Sequence, residues 1–287
     1  MRREPTDNTS DNHRHASADA CALGPTAVPA SRFTDPSLGA CGRAVWQACR
    51  VGLKLLPKVT PLHLAQVRLP ESHPAATFGS SMPVYGFAID HPDGTILVDT
   101  GVGHGSAVVD DLYQPERTGL DECLVRLGVD IDNAIAVVNS HLHFDHCGQN
   151  PLLHGHDTRF YSQAAEIDAV NADPYYTVAD WAIAPASQQR VVRGDEQIAE
   201  GVSILATPGH TAGHQSVLVE GGGRRVIIGA QVVWHHSELT AETASRANVD
   251  PDPDLERAAV DSMRRLKALE PEIIHLSHCD AYRPSTV

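Results

Sequence analysis

His141-Leu142-His143-Phe144-Asp145-His146 puts three imidazoles and one carboxylate within six residues. The segment follows Asn133 to Ser140, whose apolar run Ala134-Ile135-Ala136-Val137-Val138 predicts a buried strand. Four potential ligands therefore leave one strand end together. Two histidines one residue apart can converge on a single ion from an extended or looping backbone. Asp145 and His146 project differently and supply a second position. Packing alone gives no reason for so many polar side chains at the end of an apolar strand. Imidazole and carboxylate suit zinc, and iron or manganese as well, so one or two Zn2+ ions are the default expectation. Gly148 gives the backbone room to turn beyond the ligands.

Working outward, two more histidines stand at the ends of β-rich runs. His210 follows Val202-Ser-Ile-Leu-Ala-Thr207-Pro208-Gly209, and His278 follows Ile273-Ile-His-Leu-Ser277. His210 is a natural third ligand for an ion held by His141 and His143, and His278 for one held by Asp145 and His146. Further strand-like runs are LAQVRL from Leu64, VYGFAID from Val84, TILVDT from Thr95, QSVLVE from Gln215 and RRVIIG from Arg224. Helical spacing appears in Leu120, Cys123, Leu124 and Leu127 before Gly128. It appears again from Gln163 to Ala172 after a Ser162 cap, and from Leu255 to Leu269 after Asp252-Pro253-Asp254. Strands, then helices, then strands and a late helix predict an α/β (α+β) domain of two mixed sheets covered by helices. Gly101-Val102-Gly103-His104-Gly105 lacks the G-x-G-x-x-G spacing, which argues against a nucleotide loop.

Residues 1–38 are rich in Ser, Thr, Asp, Ala and Pro without a sustained apolar period, and predict a disordered tail. Residues 39–61 read as an N-terminal extension with a short helix expected over 42–56, and 62–287 as the main α/β domain. Twenty-two Lys and Arg against 36 Asp and Glu give a formal charge of −14, which disfavours nucleic acid and acidic membranes as partners. No run of 18 apolar residues and no apolar segment after Arg2-Arg3 occurs, so a cytoplasmic location is expected. The six cysteines form no C-x-x-C pair and fit free thiols used as small apolar filler.

HLHFDH, TPGHTAGH (Thr207 to His214), ILVDTG (Ile96 to Gly101) and LSHCD (Leu276 to Asp280) occur in the order found in metallo-β-lactamase-fold hydrolases. Residues 62 to 285 resemble that superfamily, and HLHFDHCGQN followed by TPGHTAGHQS is most similar to its N-acyl homoserine lactonase branch. The resemblance implies a four-layer αβ/βα sandwich with the metal site at one edge of the two sheets. It implies that His141, His143 and His210 hold one metal and Asp145, His146 and His278 the other. Asp145 then orients the nucleophile and carries its proton to the leaving alkoxide. Asp99 either orients a histidine from beneath the metals or caps a turn.

The chain departs from this pattern where the family carries a bridging aspartate: Ile228-Gly229-Ala230-Gln231-Val232 offers Gln231, a neutral amide. Trp234 stands where lactonases of this branch carry a tyrosine. Its indole N–H donates but cannot accept or ionise, and a pocket-lining role is the alternative. The implied activity is opening of a small lactone or ester by metal-activated hydroxide, with N-acyl homoserine lactone (quorum quenching) first. A glyoxalase II-like thioesterase, a mononuclear iron persulfide dioxygenase and a non-catalytic relative are the alternatives.

Overall fold

The computed structural model describes residues 55–244 and 252–284. The expected tail lies outside them, as does the possible helix over 42–56 except for Leu55 and Leu56, which are not helical. The first sheet contains β1 (Lys58–Arg68), β2 (Ser81–His91), β3 (Gly94–Val98), β4 (Glu116–Arg117), β5 (Ala134–Val138), β6 (Arg159–Gln163) and β7 (Gln189–Val192). Its order is β4-β1-β2-β3-β5-β6-β7, antiparallel from β4 to β3 and parallel from β3 to β7. β1 begins four residues before the boundary expected at Leu62, because Lys58 to Pro61 continue the ladder with Asp90 to Phe87.

The second sheet contains β8 (Glu196–Ala199), β9 (Val202–Ala206), β10 (Gln215–Gly221), β11 (Arg224–Ala230) and β12 (Ile273–Leu276), in the order β12-β11-β10-β9-β8. Alternation along the strands sorts side chains into layers. Phe87, Ile89, Ile96, Val98 and Val138 of the first sheet meet Val202, Ile204, Val217, Val219 and Ile228 of the second.

The opposite faces are covered by helices. Leu120, Cys123 and Leu124 of a helix over Leu120–Arg126 pack on Leu62, Leu64, Ala88, Leu97 and Val137 of the first sheet. Met263 and Leu266 of the helix Pro253–Ala268 pack on Leu205, Leu218, Ile227 and Ile274 of the second. Burying each such aliphatic side chain stabilises by roughly 1.5–3 kcal/mol before chain entropy is counted. Two mixed sheets between helical layers make the α/β sandwich, with β3, β5, β9, β11 and β12 all ending toward one edge.

One helix start differs from expectation. Ser162 lies in β6, and the helix Ala164–Ala172 begins from Gln163 without a side-chain cap. The run Arg159-Phe160-Tyr161-Ser162-Gln163 pairs with β5 and β7 instead, a tertiary contact that outweighs the local capping preference of serine.

Candidate active site

β5 hands the chain directly to Ser140 and His141, after which Phe144–Cys147 makes one helical turn. That turn swings Asp145 and His146 away from His141 and His143, so one short segment feeds two groups. Gly148 has ordinary helical dihedrals, so its role is close approach rather than a turn. Its N–H donates to Gly101 O at 2.7 Å, and a Cβ at Gly148 would stand 2.0 Å from Gly103 N. The glycines of 101–103 therefore serve packing against the ligand loop.

The ligand atoms of His141, His143 and His210 lie within 4.8 Å of one another, as do those of Asp145, His146 and His278. In the first group His141 Nε2 is 3.1 Å from His143 Nδ1, which is 3.1 Å from His210 Nε2. Nitrogens bound tetrahedrally at ~2.0–2.1 Å from zinc stand roughly 3.3–3.4 Å apart, so the group is close to the size a metal needs. Ser140 fixes the tautomer of His141. Its hydroxyl donates to Asp99 Oδ2 at 2.7 Å, and its oxygen accepts from His141 Nδ1 at 3.1 Å. Nε2 of His141 is left with a bare lone pair facing the other two rings. Burial first, and the neighbouring histidines second, hold His141 well below the usual histidine range.

The second group is arranged the same way. His278 Nδ1 donates to Pro83 O at 2.9 Å and His146 Nδ1 to Asp99 Oδ2 at 2.8 Å, so both Nε2 atoms face inward. Asp145 Oδ2 lies 3.5 Å from His146 Nε2 and 3.6 Å from His278 Nε2. Gln231 Oε1 lies 2.9 and 3.1 Å from the same two nitrogens. Burial alone would lower the pKa of His146, but Asp145 and Asp99 outweigh it and raise it to about 9. Burial lowers His278 to about 4 despite Asp145. A neutral His278 therefore aims a lone pair at the Gln231 oxygen, beside a carboxylate. Three acceptors and one easily displaced proton are a donor set that a divalent cation satisfies.

Asp99 sits just past β3 with φ 60°, a left-handed conformation that aspartate tolerates better than most residues. Besides His146 and Ser140 Oγ it accepts from Ser140 N at 2.7 Å. Ala230 precedes Gln231 with φ 47°, where β11 and β12 slip register, and this local strain aims Gln231 at the second group.

Glu166, on the helix Ala164–Ala172, gave no signal in the sequence, where it is one acidic residue in an alanine-rich stretch. It is buried and accepts from Leu142 N at 2.9 Å, Gly213 N at 3.1 Å, Tyr176 Oη at 2.7 Å and Thr211 Oγ1. It thereby ties the loop of His141 and His143 to the loop of His210.

Above both groups opens a cavity of about 970 Å³. His143, Asp145, His210, Gln231 and Trp234 form its floor, and Met82, Leu112, Tyr113, Phe144 and Tyr176 are among its walls. Trp234 lines it with its ring 5.1 Å from His210 and 5.8 Å from His278. The other histidines near the motifs belong to neither donor group. His214 Nδ1 meets Thr207 O at 3.0 Å, His235 caps the helix His236–Ala241, and His275 packs 5.4 Å from Phe87. No helix among the described residues is long and apolar enough to cross a membrane. Cys123, Cys147 and Cys279 are free thiols.

The family model of the metallo-beta-lactamase superfamily matches residues 82–278. An N-acyl homoserine lactonase of Bacillus sp is 32% identical over 151 residues, covering 48% of this chain and 59% of that enzyme, which is less than two thirds of its length. The N-acyl homoserine lactonase AiiA of Bacillus thuringiensis subsp. kurstaki is 29% identical over 214 residues, covering 69% of this chain and 82% of AiiA. A solved N-acyl homoserine lactone hydrolase, with the product N-hexanoyl-L-homoserine bound at its catalytic metal center, superimposes with a TM-score of 0.64 at 25% identity. That match covers 78% of this chain and 94% of the other.

Proposed function

Since the chain belongs to the metallo-beta-lactamase superfamily, we propose that it is a metal-dependent hydrolase that opens lactones, with N-acyl homoserine lactones its preferred substrates. The observation that carries this reading is the placement of two inward-facing donor groups on the floor of one large, apolar-walled cavity. A lactone with an acyl tail needs a polar reaction centre and an apolar wall side by side. The names of the relatives support the same substrate class.

We assign His141, His143 and His210 to one divalent cation, and Asp145, His146 and His278 with Gln231 Oε1 to a second, zinc being the expected metal. A cation bound there supplies Lewis acidity and makes water acidic enough to attack near neutral pH. The protein's own groups do the rest. Burial opposes ionisation of Asp145, but His146, His278 and His143 outweigh it and hold the carboxyl below its usual range, so it is ionised at neutral pH. We assign to its Oδ1 the proton taken from the attacking water and returned to the leaving alkoxide, while Oδ2 stays turned toward His146 and His278. Trp234 and the apolar walls exclude bulk water from the reacting ester and strengthen each polar contact within.

The test is turnover by zinc-, manganese- and iron-loaded protein on a panel of acyl homoserine lactones, simple esters and glutathione thioesters, with oxygen uptake followed in parallel. Lactone kcat/KM at least about tenfold above thioester is expected. Faster thioester cleavage or oxygen consumption would replace the lactone reading. His210→Ala is expected to abolish turnover and deplete the first metal, whereas His278→Ala depletes the second.

A further inference from the structure

His73 lies outside both metal groups, on the loop between β1 and β2, and caps the 3-10 turn Pro74–Phe78. Its ring packs edge-on against Trp234 at 5.2 Å and against Tyr113 at 6.2 Å, on the wall of the cavity that has Asp145 and His143 in its floor. The capping contact fixes its chemistry, because Ala75 N donates to His73 Nδ1 at 3.2 Å. A neutral imidazole has one N–H, so with Nδ1 accepting, the proton must sit on Nε2. Burial holds His73 below the usual histidine range, with Asp145 acting in the opposite direction.

We propose that His73 Nε2–H donates a hydrogen bond to the substrate oxygen on which negative charge develops during attack, which makes His73 a substrate-contacting residue of the hydrolysis. The assignment rests on the hydrolase reading above. The chemistry follows from the geometry: the Nδ1 cap and two aromatic walls hold the ring, so the donor needs no reorganisation when charge appears. The donor is neutral, so it adds no positive charge to repel the cations beside it. The sequence Ser72-His73-Pro74 discloses none of this.

Two variants separate the cap from the donor. His73→Asn retains a good capping oxygen for Ala75 N but withdraws the donor from the cavity, and His73→Phe removes both. Both are expected to lower kcat by about 10²–10³-fold, the usual effect of losing a preorganised donor to a developing oxyanion. KM within about twofold and unchanged metal content are expected with it. Wild-type kcat in His73→Asn, or a rise in KM alone, would show that His73 only caps or binds passively.

The second measurement does not depend on which ester is cleaved. In imidazole ¹⁵N spectra of the zinc-loaded protein, His73 is expected as the Nε2–H tautomer, with its signal moving on titration with N-hexanoyl-homoserine. An Nδ1–H tautomer overturns the inference. Should no lactone be turned over, the lactone reading fails by itself, and the two variants are then compared on the best thioester or ester of the panel.

Discussion

Replacing Gln231 by aspartate tests the proposal that Gln231 stands where a bridging carboxylate would. Gln231 Oε1 stands 2.9 and 3.1 Å from the inward nitrogens of His146 and His278, so the position faces the group proposed to hold the second cation. What it lacks is charge. A unit negative charge roughly 4 Å from a divalent cation gains about 8 kcal/mol at an effective dielectric of about 20, twice the ~4 kcal/mol of a singly charged pair. Desolvating a buried carboxylate returns several kcal/mol of that, and Gln231 is 2% exposed. The surplus of roughly 1.5–3 kcal/mol corresponds to a second site about 10- to 100-fold tighter. The assay is metal content after dialysis against zinc buffers of graded free concentration. Wild-type protein is expected to hold between one and two zinc ions, rising with free zinc, and Gln231→Asp to reach two at a ten- to hundredfold lower concentration. Two ions retained by the wild type at the lowest buffer, or coincident curves for the two proteins, would refute the charge argument.

Three further outcomes follow from other parts of the molecule. Glu166→Ala strands the buried Leu142 and Gly213 N–H groups, at about 1–3 kcal/mol each, and should lower the melting temperature and weaken zinc binding about 10- to 100-fold. Unchanged melting and metal content would exclude Glu166 as a tie between the ligand loops. Burial, with Arg283 adding to it, lowers His275 to about 4 in the folded protein, below the ~6.5 of an unfolded histidine. The unfolded chain therefore takes up this proton first, and stability falls as pH drops from about 6.5 toward 4. His275→Gln should flatten that slope in denaturant titrations, and an unaltered slope would remove His275 as its source. Deleting residues 1–38 should leave melting and metal content intact, since that stretch carries no proposed ligand. Loss of folded, metal-loaded protein on truncation would count against the proposed domain boundary.

The ligand candidates were legible because metal chemistry concentrates rare residue types at strand ends. His141, His143, Asp145 and His146 share six residues, and His210 and His278 each close an apolar run. The sandwich was legible through short apolar, β-branched runs such as those of β2, β9 and β10. Residues whose role depends on partners far along the chain were not. Glu166 acts through Leu142, Thr211 and Gly213, and nothing in Ala164-Ala165-Glu166-Ile167 announces those partners. β4, β7 and β8 are short, exposed or polar strands held by pairing with neighbours, so neither propensity nor periodicity marks them. Gly148 was correctly placed beyond the ligands but for the wrong reason, because close approach to Gly103 cannot be told from a turn without the fold.

Each donor group takes its members from the ends of both sheets, so a metal bound as proposed would also act as a cross-link. His143 and His210 are 67 residues apart, and His146 and His278 are separated by 278 − 146 = 132. A covalent bridge closing loops of such length stabilises by on the order of 4–5 kcal/mol, largely by restricting the unfolded chain. Metal loading should therefore staple one sheet to the other at their shared edge, where the apolar interlayer gives way to polar side chains. During synthesis the two staples cannot close together. The first group is complete once His210 has been made, and the second waits for 278 − 210 = 68 further residues, during which β10, β11 and β12 must also be added to the sheet. The order in which the two donor groups become available is thus written into the order of the chain, with the three-histidine group first.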